Sequence, residues 1–214
     1  MIFHDREDAG RQLATRLAGF AGDSNLVLGI PRGGVAVAYE VARALGAPLD
    51  IFLATKLPVP GQRELAFGAM AESGECFLDE HIIHAAHVSV EQVEAISAAA
   101  AQRLRQRAAL YRAGRPPLAV EGKKVILVDD GIATGASVHV SILALRSMHP
   151  GCLIVAVPVA PALTCARLRP LVDELVCVYE PEFFDAVSQF YLHFPQCTDA
   201  QVAELLQPPP ETAP

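Results

Sequence analysis

The chain has 214 residues, of which 52% are hydrophobic and 19% charged, and its 17 basic and 24 acidic side chains give a net charge of −7. That length and composition suit one domain with ample material for a core, and the acidity argues against a generic nucleic-acid binder. No run approaches the roughly 18 apolar residues of a membrane helix, and the opening "MIFHDREDAGRQ" is too charged for a signal peptide, so a cytoplasmic protein with no membrane partner is expected.

In chain order, a helix is expected over roughly 5–20, then a buried strand at "NLVLGI" (25–30) and a helix over 34–46 that ends at Gly46 and Pro48. The next strand is "LDIFLA" (49–54), followed by a polar surface loop, "TKLPVPGQRELAFGA" (55–69). Residues 67–80 read as a hairpin about a Ser-Gly turn at the sheet edge, and 89–114 as a long helix whose Arg103, Arg105, Arg107 and Arg112 form a solvated face. Strands at 124–130, 152–159 and 174–179 alternate with helices at 136–148 and 162–172. Strands alternating with helices make a parallel sheet with right-handed crossovers, so the fold class is α/β, Rossmann-like, with a mainly parallel sheet flanked by helices. Residues 1–207 should form a single domain, and the Pro-rich 208–214 a frayed tail.

The five cysteines, Cys76, Cys152, Cys165, Cys177 and Cys197, are odd in number and widely spaced, which fits buried thiols; no CxxC pair suggests zinc. His81, His84 and His87 recur every third residue without a paired cysteine and are expected to be solvated or capping residues. Charge is unevenly spread: from Pro170 onward there is no Lys or Arg and there are eight acids, so the remainder is balanced enough to receive an anionic small molecule.

Ligands of open α/β sheets sit beyond the carboxyl ends of the strands. There, in "VILVDDGIATGAS" (125–137), the apolar run stops at Asp129 and Asp130 and gives way to small residues before a helix. Gly131 to Ser137 could bring backbone N–H groups and the Thr134 and Ser137 hydroxyls to a phosphate, beside carboxylates that accept from a vicinal diol. The combination suits a ribose 5-phosphate. A capped helix behind two solvated acids is the plainer reading, and a nucleotide triphosphatase strand the other, although no GxxxxGK[ST] accompanies it.

These 13 residues resemble the phosphoribosyl pyrophosphate (PRPP) signature of type I phosphoribosyltransferases. The resemblance implies that Asp129 and Asp130 face the ribose hydroxyls, that Ala133, Thr134, Gly135, Ala136 and Ser137 wrap the 5-phosphate, and that Mg2+ accompanies PRPP. "GIPRGGVAVA" (29–38) resembles the family's pyrophosphate loop, with Arg32 at a helix start and Gly33 and Gly34 permitting unusual backbone angles. Lys56 stands at a strand end where it could reach a diphosphate, and Arg63 could close over it, as a mobile loop does in the family. Together the motifs make most of the chain similar to stand-alone predicted phosphoribosyltransferases of bacteria.

The implied reaction moves the 5-phosphoribosyl group of PRPP to a nitrogenous base and releases pyrophosphate. Lys56, Arg63, Asp129 and Asp130 are the catalytic candidates; Arg32, Gly33, Gly34 and Lys56 would hold pyrophosphate, and no protein metal ligand is predicted. A non-catalytic PRPP-binding regulator is the alternative. The 6-oxopurine enzymes carry an acid where this chain has Ala133, which disfavours hypoxanthine and guanine. The family's variable hood, which recognises the base, maps to 1–22 and 180–207, including Phe183, Phe184, Phe190, Tyr191 and Phe194 of "FFDAVSQFYLHF". A homodimer is common in the family.

Overall fold

Apolar runs without polar alternation become strands covered on both faces. In the computed structural model, which describes residues 2–22 and 24–207 apart from the side chains of Arg63 and Glu64, five such runs form a parallel sheet in the order β2-β1-β6-β7-β8. They are β1 (Asn25–Gly29), β2 (Leu49–Ile51), β6 (Lys124–Val128), β7 (Cys152–Val159) and β8 (Glu174–Tyr179). The expected tail at 208–214 lies outside the described residues.

Alternate side chains of β6 serve opposite layers. Ile126 and Val128 pack with α1 (Arg6–Leu17) and α2 (Gly33–Leu45), whereas Val125 and Leu127 pack with α5 (Ala136–Arg146) and α6 (Ala162–Leu168). The Rossmann-like expectation therefore holds, with one substantial departure.

That departure begins inside "LDIFLA". Phe52 still donates its N–H to Gly29 O in the parallel sheet, but Leu53 O accepts from Glu72 N, so the chain changes sheets between adjacent residues. Both Phe52 and Leu53 are buried, and the unbroken apolar run therefore carries no mark of the change. The expected polar loop at 55–69 is instead a hairpin of β3 (Ala54–Val59) and β4 (Gln62–Ala71), which β5 (Cys76–Leu78) extends into a separate antiparallel sheet. Leu57 and Val59 point into the core beneath α4 (Val90–Arg112) while Lys56 faces solvent, a period of two. Pro58 fits where the register shifts on either side of it, and Gly61 turns the chain at φ 77°. The hairpin read at 67–80 exists, but it belongs to this second sheet and not to the edge of the first.

Helix α4 starts at a capping box of Ser89 and Gln92, and Arg103, Arg105 and Arg107 are exposed on it as expected. Arg112 corrects the expectation: it is 5% exposed, donates from Nε to Asp50 Oδ1 at 2.8 Å and bonds Glu72 through Nη2. A guanidinium can be buried when carboxylates and a carbonyl satisfy it, and Ile51 O supplies the carbonyl at 3.0 Å.

The cysteines are all free thiols, but only Cys165 is buried; the other four are partly exposed. His81 and His84 are exposed on the short helix α3 (Glu80–Ala85), with exposed His87 just beyond it. No helix among the described residues is long and apolar enough to cross a membrane.

The segment before α1 meets the 190–193 segment. Phe3 bridges Tyr191 in parallel, with Phe3 N donating to Phe190 O at 2.8 Å and Leu192 N to Phe3 O at 2.9 Å. Phe3, Phe190 and Tyr191 are buried there, whereas Phe183 stands 83% exposed.

Candidate active site

Strands β1 and β6 are neighbours with Gly29 opposite Val128, so the segments that leave their carboxyl ends must lie side by side. Ile30 N donates to Val128 O at 2.9 Å and extends the pairing by one residue. The Pro31–Arg32 peptide is cis, and α2 begins at Gly33 with Arg32 as its N-cap.

The two glycines are required here for want of a side chain. Neither has a positive φ, which corrects the expectation of unusual backbone angles. A Cβ on Gly33 would lie 1.9 Å from Asp130 Oδ2, and one on Gly34 2.8 Å from Val128 O and 2.9 Å from Asp129 Oδ1. The loop after β1 and the acid pair after β6 thus touch.

Asp129 and Asp130 sit in unlike surroundings. Asp129 Oδ1 accepts from Asp130 N at 2.9 Å, and burial, aided by the neighbouring Asp130 charge, pushes its carboxyl well above the usual carboxylate range. Asp130 Oδ2 is held by Arg6 Nε at 2.8 Å, and both side chains are largely buried. Arg6 also donates from Nη1 to Pro195 O at 2.7 Å, and its guanidinium lies 3.8 Å from the Phe194 ring centroid. The Tyr191 hydroxyl donates to Asp130 O at 2.5 Å. Arg6 ties the first helix, the 190–195 segment and the acid pair together. In the sequence it is one charge among its neighbours in "HDRED", indistinguishable from solvated surface.

The loop from Gly131 is propped from below. Ile132 N donates to Val159 O, the Thr164 hydroxyl donates to Ala133 O at 3.0 Å, and Gly135 enters α5 at φ 79° with Thr164 Cγ2 2.9 Å from where a Cβ would be. Ala133, Thr134, Ala136 and Ser137 face solvent, while Gly135 is covered.

A cleft of about 330 Å3 adjoins this loop, walled by Pro31, Thr55, Lys56, Arg107, Ala136 and Ser137. Lys56 is therefore brought to the loop although it rides on a strand. Arg107, expected only as solvated surface, is a second cation on the same cleft. Arg32 turns instead toward Asp199, at 3.9 Å, and is not among the walls. The side chain of Arg63 lies outside the described residues, although its backbone belongs to β4. The candidates thus form two adjoining groups joined through Ile30 and Pro31: Gly33, Gly34, Asp129, Asp130 and Arg6 in one, Lys56, Arg107 and the 133–137 loop in the other.

Comparison with known proteins places this arrangement. In Mycobacterium tuberculosis, a protein named only provisionally as a phosphoribosyl transferase occurs in two strains and is 42% identical over 205 residues, 96% of this chain and 46% of its own length. The chain thus spans about half the length of the curated relatives it matches. The crystal structure of TT1426 from Thermus thermophilus superposes with a TM-score of 0.88 at 41% identity, covering 96% of this chain and 98% of that one. Residues 4–194 match the family described as the phosphoribosyl transferase domain, and the chain belongs to that family.

Proposed function

We propose that the protein transfers the 5-phosphoribosyl group of PRPP to a nitrogenous base and releases pyrophosphate. The observation that carries this reading is the contact between Gly33 and Gly34 and the carboxylates of Asp130 and Asp129, beside a small-residue loop that opens onto Lys56 and Arg107. A sugar phosphate bearing a diphosphate needs those three environments side by side: hydroxyl acceptors, an anion cradle and cations for the leaving group.

In this reading Asp129 and Asp130 accept hydrogen bonds from the ribose hydroxyls, and their charge favours the oxocarbenium character that develops as the C1–O bond to pyrophosphate breaks. Backbone N–H groups of 133–137 and the Thr134 and Ser137 hydroxyls hold the 5-phosphate. Lys56 and Arg107 stabilise the departing pyrophosphate, with Arg32 recruited from Asp199. Arg6 fixes Asp130 and fastens the 1–22 and 180–207 segments, which make up the hood over the acceptor.

The donor set fits a hard divalent cation. Asp129 is a carboxylate whose charge is disfavoured by its surroundings, and Mg2+ is held by one or two carboxylates together with substrate phosphates. When bound with PRPP, Mg2+ would supply charge neutralisation of the diphosphate; Asp129 would hold it.

The test is release of pyrophosphate from PRPP by the purified protein with Mg2+, against adenine, guanine, hypoxanthine, xanthine, uracil, orotate and no acceptor. Release dependent on one base supports the reading. PRPP binding by calorimetry without release from any of them favours the regulator.

A further inference from the structure

Away from the site just described, Cys165, Cys177 and Glu180 converge. Cys165 lies on α6, Cys177 on β8, and Glu180 just beyond that strand; one ligand atom from each lies within 4.8 Å of the other two. The two sulfurs lie within 4.8 Å of each other, and Cys177 Sγ donates to Tyr179 O at 3.2 Å. Their separation in sequence conceals them from any CxxC search. Register explains the meeting: Cys177 pairs with Val157 of β7 and projects onto the same core layer that contains Cys165.

We propose that Cys165, Cys177 and Glu180 form a binding site for a thiophilic divalent cation of the Zn2+ type. Two sulfurs and a carboxylate oxygen are a donor set for a tetrahedral centre, with water completing it from the partly exposed Glu180 side. Binding releases both thiol protons to solvent, leaving two thiolates and one carboxylate against the two positive charges of the metal. Arg169, whose Nη2 lies 2.5 Å from Glu180 Oε1, offsets the remaining negative charge and orients the carboxylate from outside. The soft donors separate this site from the hard oxygen chemistry at Asp129.

The position gives such a metal a task. It would clamp α6 to β8, and α6 is the helix whose Thr164 and Leu168 side chains support Ala133 and Gly135 from below.

The experiment titrates the reduced, metal-free 214-residue chain with Co2+ and then Zn2+. The expected result is one equivalent of Co2+ with thiolate-to-cobalt charge-transfer absorbance, displaced by Zn2+, and a thermal midpoint raised by Zn2+. Cys177→Ser should abolish the charge-transfer band. Glu180→Gln, at a partly exposed position where folding is not at stake, should weaken Zn2+ binding at least about tenfold in competition with a chromophoric chelator. Absence of the band at one equivalent, its persistence in Cys177→Ser, or unchanged affinity in Glu180→Gln would overturn the proposal; Cys76, Cys152 and Cys197 remain in both variants and control for adventitious thiols.

Discussion

Two places in the molecule hold the same charges, two carboxylates and one arginine, and use them differently. In the first, Arg112 lies between Asp50 and Glu72 with all three side chains less than a tenth exposed. In the second, Arg6 bonds only one of the two carboxylates, Asp130, while burial outweighs its more distant pull on Asp129. The first cluster ties α4, β2 and the end of β4, and so joins the two sheets. The other stands at a strand end next to glycines and an open loop, with one acid left to attract something from outside. Equal charge inventories thus differ in how the arginine is shared, between both acids in one cluster and on a single acid in the other.

The largest way to sharpen this contrast is Arg112→Leu. Two carboxylates would then remain buried without their cation, and urea unfolding should show a loss of about 3–5 kcal/mol. Asp130→Ala acts on the other cluster and should leave a folded protein, weakened by about 1.5–3 kcal/mol through the lost Arg6 bond. Its PRPP affinity, measured by calorimetry, should fall by more than the stability change would suggest; unchanged affinity in the folded variant would remove the ribose assignment. For Gly33→Ala, the added methyl displaces the Asp130 carboxylate from Arg6, and we expect about a tenfold loss of PRPP affinity, near 1.4 kcal/mol, with a smaller change in unfolding.

The smallest effect is in pH. Asp129 holds its proton more tightly when folded than its ordinary value of 3.8 allows, so between that value and its raised one the folded state carries more protons than the unfolded. Stability should therefore decline as pH rises through that window, and Asp129→Asn should lack that decline. Glu72, raised by burial, contributes a slope of the same sign, so the comparison is between wild type and variant across pH. A variant with the wild-type slope would show that Asp129 is not strained by its neighbours.

What could be read beforehand follows from where information is contiguous. "VILVDDGIATGAS" has strand, acids, loop and helix start in one uninterrupted stretch, and its local order survives folding. Glycines 33 and 34 were legible as a loop, but not the reason for them, since the atoms they must avoid belong to Asp129 and Asp130. The sheet change at Phe52 and Leu53 leaves no trace because both sheets demand apolar residues there. Arg112 looks like its helix neighbours until Asp50 and Glu72 arrive from distant segments, and Arg6 likewise until Phe194 and Pro195 do. The alternation of Leu57 and Val59 with Lys56 and Pro58 is a strand signal, masked by two prolines and a glycine.

The bridge between Phe3 and Tyr191 has a consequence for the order of events in synthesis. A chain emerging from the ribosome displays its first helix long before β7 and β8, on which α1 rests, and before the 190–195 segment that captures Arg6. Until then Phe3 lacks the Phe190 and Tyr191 rings that cover it, and Asp130 emerges ahead of the tyrosine that binds its carbonyl. The parallel sheet can assemble outward from β1 and β6, but the acid pair acquires its final setting only when the 190–195 segment closes back on α1.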